Sequence, residues 1–182
     1  NIDLAIIGFG RIGRIHAANI LAAEDISLKM IVDPLLDVDE RLANKGIKQS
    51  KNIADLLNLK NIDGVIICSP SNYHVDQIKQ VSQNIKNIFC EKPLGLSVNE
   101  IMEVKSLVDN NKLNLHVGFN RRFDPDFSSL KTAISSGEIG DLHTIKIISR
   151  DPSPPPISYI KKSGGIFLDM TIHDFDMVKY LS

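Results

Sequence analysis

The sequence predicts an α/β chain whose larger first part is a doubly wound parallel-sheet domain reaching to about Phe119. Three observations carry this. Short runs of Ile, Val and Leu alternate with segments of helical period; the runs are apolar throughout; and the first passes directly into a glycine-rich turn. Continuous apolar runs suit strands covered on both faces, and the helices between them supply the crossovers that parallel neighbours need.

In order, "DLAIIG" reads as a strand, "RIGRIHAANILAA" as a helix and "LKMIVD" as a strand. The alternation continues through "DVDERLANKG", "IADLLNL", "DGVIICSP" as the fourth strand, "NYHVDQIKQVSQ", "NIFCE" as the fifth, "SVNEIMEVKSLVDNN" and "LNLHVGF". A second part, residues 120–182, holds a helix around Phe127 to Ser135, a strand from Leu142 to Arg150, a proline-dense loop "DPSPPPISY" and a closing helix. One strand between two helices leaves both its edges unpaired. Either the rest of a sheet lies outside this chain or another chain covers the surface.

The 182 residues suffice for one good core, or for one domain and part of another. With 43% hydrophobic and 24% charged residues and a formal net charge of -1, the chain is not expected to have nucleic acid or an anionic membrane as its main partner. No apolar run approaches the roughly 20 residues that span a bilayer. "NIDLAIIGFG" suits a buried first strand better than a signal peptide, since no basic segment precedes it and glycines end it. Cys68 and Cys90 lack metal-ligand spacing and read as reduced thiols of a cytoplasmic protein.

Gly8-Phe9-Gly10-Arg11-Ile12-Gly13 stands between a strand and a helix, the context in which GxGxxG binds a dinucleotide. The glycines let backbone approach a pyrophosphate, which the helix N-terminus holds through free N–H groups and its dipole. Asp33, at the end of the second strand, is placed to accept hydrogen bonds from the ribose hydroxyls of NAD and to repel the 2'-phosphate of NADP. Arg11 and Arg14 could tolerate that phosphate. "CSPSNYH" brings Ser69, Pro70 and His74 to the carboxyl edge of the fourth strand, where His74 either touches cofactor or lines the helix start. "CEKPLG" brings Glu91 and Lys92 to the carboxyl edge of the fifth, with Lys92 held rigidly before Pro93.

The closing stretch "GGIFLDMTIHDFDM" reads as a helix apolar over most of its circumference and therefore buried. Asp169, His173 and Asp176, four and then three residues apart, form one polar stripe on it. Buried carboxylates and an imidazole need partners or a ligand. The stripe is thus a candidate site, with a structural His–Asp pair as the plainer reading. Asp176 either backs His173 or caps the next element.

"GFGRIG", "CSPSNYH", "CEKPLG", "GFNRRFDP" and "GGIFLDMTIHDFDM", in this order, resemble the Gfo/Idh/MocA oxidoreductases, most closely their inositol dehydrogenase branch. The resemblance implies a Rossmann domain over 1–119 followed by the start of an α+β open-sheet domain used for substrate closure and homo-oligomer contacts. It implies a catalytic group at Lys92, Asp169 and His173, substrate contacts at those residues and at Arg121 and Asp151, NAD as cofactor, and a cis bond before Pro93. Chemically, His173 would take the hydroxyl proton of a secondary alcohol, Asp169 would orient the ring, and Lys92 would stabilise alkoxide character.

Family members run to over three hundred residues, so the chain reads as a fragment, a truncated product or half of a split protein, keeping NAD affinity better than activity. The alternatives are a related sugar or polyol dehydrogenase and a dinucleotide-binding sensor without turnover. A metal-dependent hydrolase built on Asp169, His173 and Asp176 finds no support in the dinucleotide motif, and no metal is expected.

Overall fold

The computed structural model describes residues 1–151, 153–160 and 163–182. The chain divides into two compact units, Asn1–Gly118 and Phe119–Ser182.

In the first unit six strands, β1 (Ile2–Ile7), β2 (Ile26–Val32), β3 (Lys48–Ser50), β4 (Gly64–Ile67), β5 (Asn87–Cys90) and β6 (Asn114–Val117), form one sheet in the order β3-β2-β1-β4-β5-β6. Every neighbouring pair is parallel. The order reverses between β1 and β4, and at such a switch point a crevice opens beyond the carboxyl ends of the strands. Helices α1 (Arg11–Ala22), α2 (Glu40–Ala43), α3 (Ile53–Leu57), α4 (His74–Val81) and α5 (Val98–Asn111) make the connections.

Burial explains the unbroken apolar runs. Ala5, Ile7, Val65, Ile67 and Ile88 pack with Leu56, Ile78 and Val104 of α3, α4 and α5. Ile6, Leu28 and Ile31 pack with Ala17 and Ile20 of α1 and Leu42 of α2. Side chains alternate across a strand, so both faces of β1 and β2 carry apolar residues. Local chemistry fixes the helix starts: Asp39, Asn52 and Ser97 each accept a hydrogen bond from a backbone N–H of the first turn. Glu100 returns its carboxylate to the Leu96 N–H, a variant of the capping box.

The second unit contains α6 (Pro125–Ser135), the four-residue α7 (Ile157–Ile160) and α8 (Ile172–Leu181). Asp124 caps α6, and Pro125 at its first position has no N–H to satisfy. Two expectations fail here. Residues 142–150 form no strand: a strand is stable only when a neighbour takes its backbone groups, and no described segment does so. The expected proline-dense loop contains α7; Pro152 within it lies outside the described residues.

The closing segment is also not a regular buried helix. Phe167–Thr171 form a π-helical turn that leads into α8. Met177 and Leu181 are buried, whereas Ile166, Phe167, Phe175 and Val178 are exposed. Apolar composition alone suggested burial all round; in the described chain only one side of α8 meets packed neighbours.

Candidate active site

The nucleotide edge is built by the loop between β1 and α1. Gly8 has φ +90, and a Cβ there would stand 2.5 Å from the Ser69 backbone nitrogen. A Cβ at Gly13 would stand 2.0 Å from the Gly8 carbonyl oxygen, so only glycine lets the helix approach this turn. At Gly10 a Cβ would meet nothing within 4 Å. That open space faces the start of α1, which has no side-chain cap and no acidic residue in its first turn. Uncapped N–H groups beside open space suit a pyrophosphate.

Asp33 follows β2 and is held from both sides: one carboxylate oxygen accepts the Phe9 N–H at 2.6 Å, the other the Leu35 N–H at 2.8 Å. Each oxygen keeps a further lone pair for a ribose hydroxyl. Arg11 and Gly10 are exposed, Ile12 is half-buried, and Arg14 stacks over the Phe9 ring at 4.5 Å. The residues therefore fit a dinucleotide: the glycine turn and α1 would hold its pyrophosphate, and Asp33 its ribose.

On the other side of β1, Ile67 pairs with Cys90, so the chain leaves β4 and β5 at the same level and presents Ser69 and Lys92 on adjacent loops. Ser69 is half-buried with its hydroxyl donating to Gln77, and Pro70 is exposed. Glu91 pairs with His16 of α1 at 2.8 Å, and a Cβ at Gly118 would crowd it at 3.0 Å. Lys92 is half-buried and joined to Pro93 by a cis peptide bond.

His74 opens α4. It is 1% exposed, with Nε2 2.9 Å from the Ser69 carbonyl oxygen and Nδ1 2.7 Å from that of Pro93. Its ring lines the start of α4, with both nitrogens against backbone carbonyl oxygens. Cys68 and Cys90 are free thiols. Burial, then the nearby Glu91 carboxylate, pushes the Cys68 thiol up to about 12. Burial likewise pushes Cys90 upward.

In the second unit, the π-helical turn carries Asp169, and His173 follows in the first turn of α8. π-Helical turns often mark functional positions. The His173 ring meets Phe119 edge-on, centroids 6.4 Å apart. The expected single stripe does not extend to Asp176: its buried carboxylate receives a forked pair of hydrogen bonds from Arg122, the shortest 2.5 Å. That carboxylate holds the Arg122 guanidinium above its usual range. Arg121 lies 2.5 Å from Asp174, which also accepts the Ser149 hydroxyl at 2.6 Å. Asp151 is exposed. Among the described residues no three His, Cys, Asp or Glu side chains gather as a metal-binding group.

Sequence reasoning missed His16, Gln77, Asp174 and Arg122 as supports. Only Asp174 carried a signal, as a polar break in an apolar stretch; the others find their partners through folding alone.

Residues 2–119 match the family described as oxidoreductases with an NAD-binding Rossmann fold, and residues 127–182 match the Gfo/Idh/MocA C-terminal domain. The chain belongs to the Gfo/Idh/MocA oxidoreductase family. Its first unit is that family's NAD-binding Rossmann domain, as the strand order and glycine turn require. The chain is 41% identical over 180 residues to an inositol 2-dehydrogenase of Rhizobium meliloti, covering 99% of this chain and 54% of that protein. It is 42% identical to a myo-inositol 2-dehydrogenase of Thermotoga maritima, covering 98% and 54%. A crystal structure of scyllo-inositol dehydrogenase from Lactobacillus casei with bound NAD(H) and scyllo-inositol superimposes with a TM-score of 0.89 at 33% identity, covering 100% of this chain and 56% of that one. The chain thus spans about half the length of the relatives it matches.

Proposed function

We propose that this protein acts as an NAD-dependent dehydrogenase that oxidises a secondary hydroxyl of inositol or a closely related cyclic polyol. The observation that carries the reading is the dinucleotide cradle at Gly8–Gly13 and Asp33 beside a loop that presents Lys92 from the neighbouring half of the sheet. The inositol dehydrogenases among the relatives supply the substrate class.

When bound, the nicotinamide supplies the hydride acceptor. The chain's own residues prepare the alcohol. His173 accepts the hydroxyl proton as general base, a role that typically contributes about 10² to 10⁴ in rate. Asp169 orients the imidazole and favours its protonated form. Lys92 donates to a substrate oxygen that gains alkoxide character. Arg121, held by Asp174, and Asp151 supply further contacts to polyol hydroxyls. Gly8, Gly10, Arg11, Ile12, Gly13, Asp33, Ser69, Pro70, Glu91 and Lys92 form the cofactor side. Asp33 favours NAD over NADP through like-charge repulsion of a 2'-phosphate.

We further propose residues 1–119 as the nucleotide domain and 120–182 as part of the substrate domain, a cytoplasmic location in keeping with the two free thiols, and homo-oligomerisation through the second domain. No described helix is long and apolar enough to cross a membrane.

The test is nicotinamide absorbance with myo-inositol, scyllo-inositol and common aldoses, each with NAD and with NADP. NAD reduction with an inositol is the expected result. NAD binding without turnover on any polyol would favour a dinucleotide-binding sensor instead.

A further inference from the structure

His74 is a buried titratable side chain that the proposed chemistry does not use. Its ring bridges two loops: Ser69 follows β4, Pro93 follows β5, and the imidazole lies within hydrogen-bond distance of both their carbonyl oxygens. The strands themselves are paired only as far as Ile67 and Cys90. Beyond those residues the ladder no longer sets the spacing of the two loops. Carbonyl oxygens only accept, so every hydrogen bond here draws on a ring N–H of His74. Gln77, three residues along α4 and therefore on the same side, receives the Ser69 hydroxyl and adds a second tie to the same loop.

The topology says which half of a dinucleotide these loops serve. The pyrophosphate space lies at the start of α1, beyond β1. Asp33 stands on the β2 side of it and takes the adenosine ribose. The other nucleoside must then extend over β4 and β5, where Ser69 and Lys92 emerge. We propose that His74 is a positioning residue that locks the Ser69 loop to the Lys92–Pro93 turn and so shapes the nicotinamide half of the cofactor site, leaving the adenosine half untouched. This rests on the dinucleotide reading given above.

Calorimetric titration with two ligands tests it: NADH, which uses both halves, and ADP-ribose, which lacks the nicotinamide. His74→Leu keeps bulk but removes the ring's N–H donor and leaves the loop carbonyl oxygens it ties without a side-chain partner. It is expected to weaken NADH about tenfold while ADP-ribose stays within about twofold. His74→Gln, which keeps an N–H donor, is expected to limit the NADH loss to about threefold, again without effect on ADP-ribose. An equal loss for both ligands would mark His74 as a general structural residue and overturn the proposal, as would unchanged affinity for both. Should the leucine variant fail to fold, the glutamine variant decides by the same criterion. A wild-type protein that binds neither ligand would instead refute the dinucleotide reading itself, an outcome distinct from any shift between the two ligands.

Discussion

His173 stands in the first turn of α8, directly after the π-helical turn and against Phe119. On the general-base role proposed for it, His173→Ala is expected to lower kcat on inositol by about 10² to 10⁴ with NADH affinity unchanged. Steady-state kinetics paired with NADH titration checks both parts. The two cysteines carry a prediction of opposite kind. A thiol raised by burial stays neutral, and the thiolate is the nucleophile. Cys68 should therefore resist alkylation in the native protein at pH 8 and react fully once unfolded, as mass spectrometry would read. The same shift has a sign for stability. Between pH 9 and about 12 the unfolded chain has lost a proton that the folded chain retains. Stability from this group is present below pH 9 and declines as pH rises through that window.

At the scale of elements, the loop from β1 to α1 separates two duties that a glycine can have. Gly13 is required by packing: a methyl there meets the Gly8 carbonyl oxygen, so Gly13→Ala should destabilise the fold by about 1–3 kcal/mol as overpacking. Gly10 has open space around it, so Gly10→Ala should leave the melting temperature within experimental error. Its methyl would nonetheless enter the pyrophosphate space, and NADH affinity should fall. Thermal melts beside NADH titrations distinguish the two. Within the second unit, Arg122 ties the segment before α6 to α8 through buried Asp176. Removing the cation strands a buried carboxylate, and Arg122→Met should cost about 1–3 kcal/mol in urea unfolding. Arg122→Met with Asp176→Asn should recover part of that loss.

For the whole molecule, both apolar clusters that cover the sheet are drawn, among the described residues, from the first unit. The residues proposed for the adenosine and pyrophosphate end also belong to it. Residues 1–118 produced alone are expected to fold cooperatively and to bind ADP-ribose within about threefold of the 182-residue chain, because a core of this size is self-sufficient. Chemical denaturation and calorimetry check this; a non-cooperative transition would show that the sheet depends on the second unit.

Much was legible in the residues themselves. The apolar runs specified parallel strands because a two-sided sheet tolerates no alternation, and Gly8 and Gly13 specified the turn because the backbone approaches there leave no space for a Cβ. The place of Asp33 directly after β2 was legible too, because the apolar run before it marks where the strand ends. What tertiary structure alone decided was which polar groups meet. His74 became a brace between two loops, Asp176 a partner of Arg122, and Asp174 a partner of Arg121 and Ser149. Residues 142–150 did not become a strand despite their composition. Period and turn chemistry act between residues near in sequence, whereas hydrogen-bond partners and strand neighbours are supplied from far along the chain, and no local pattern encodes them.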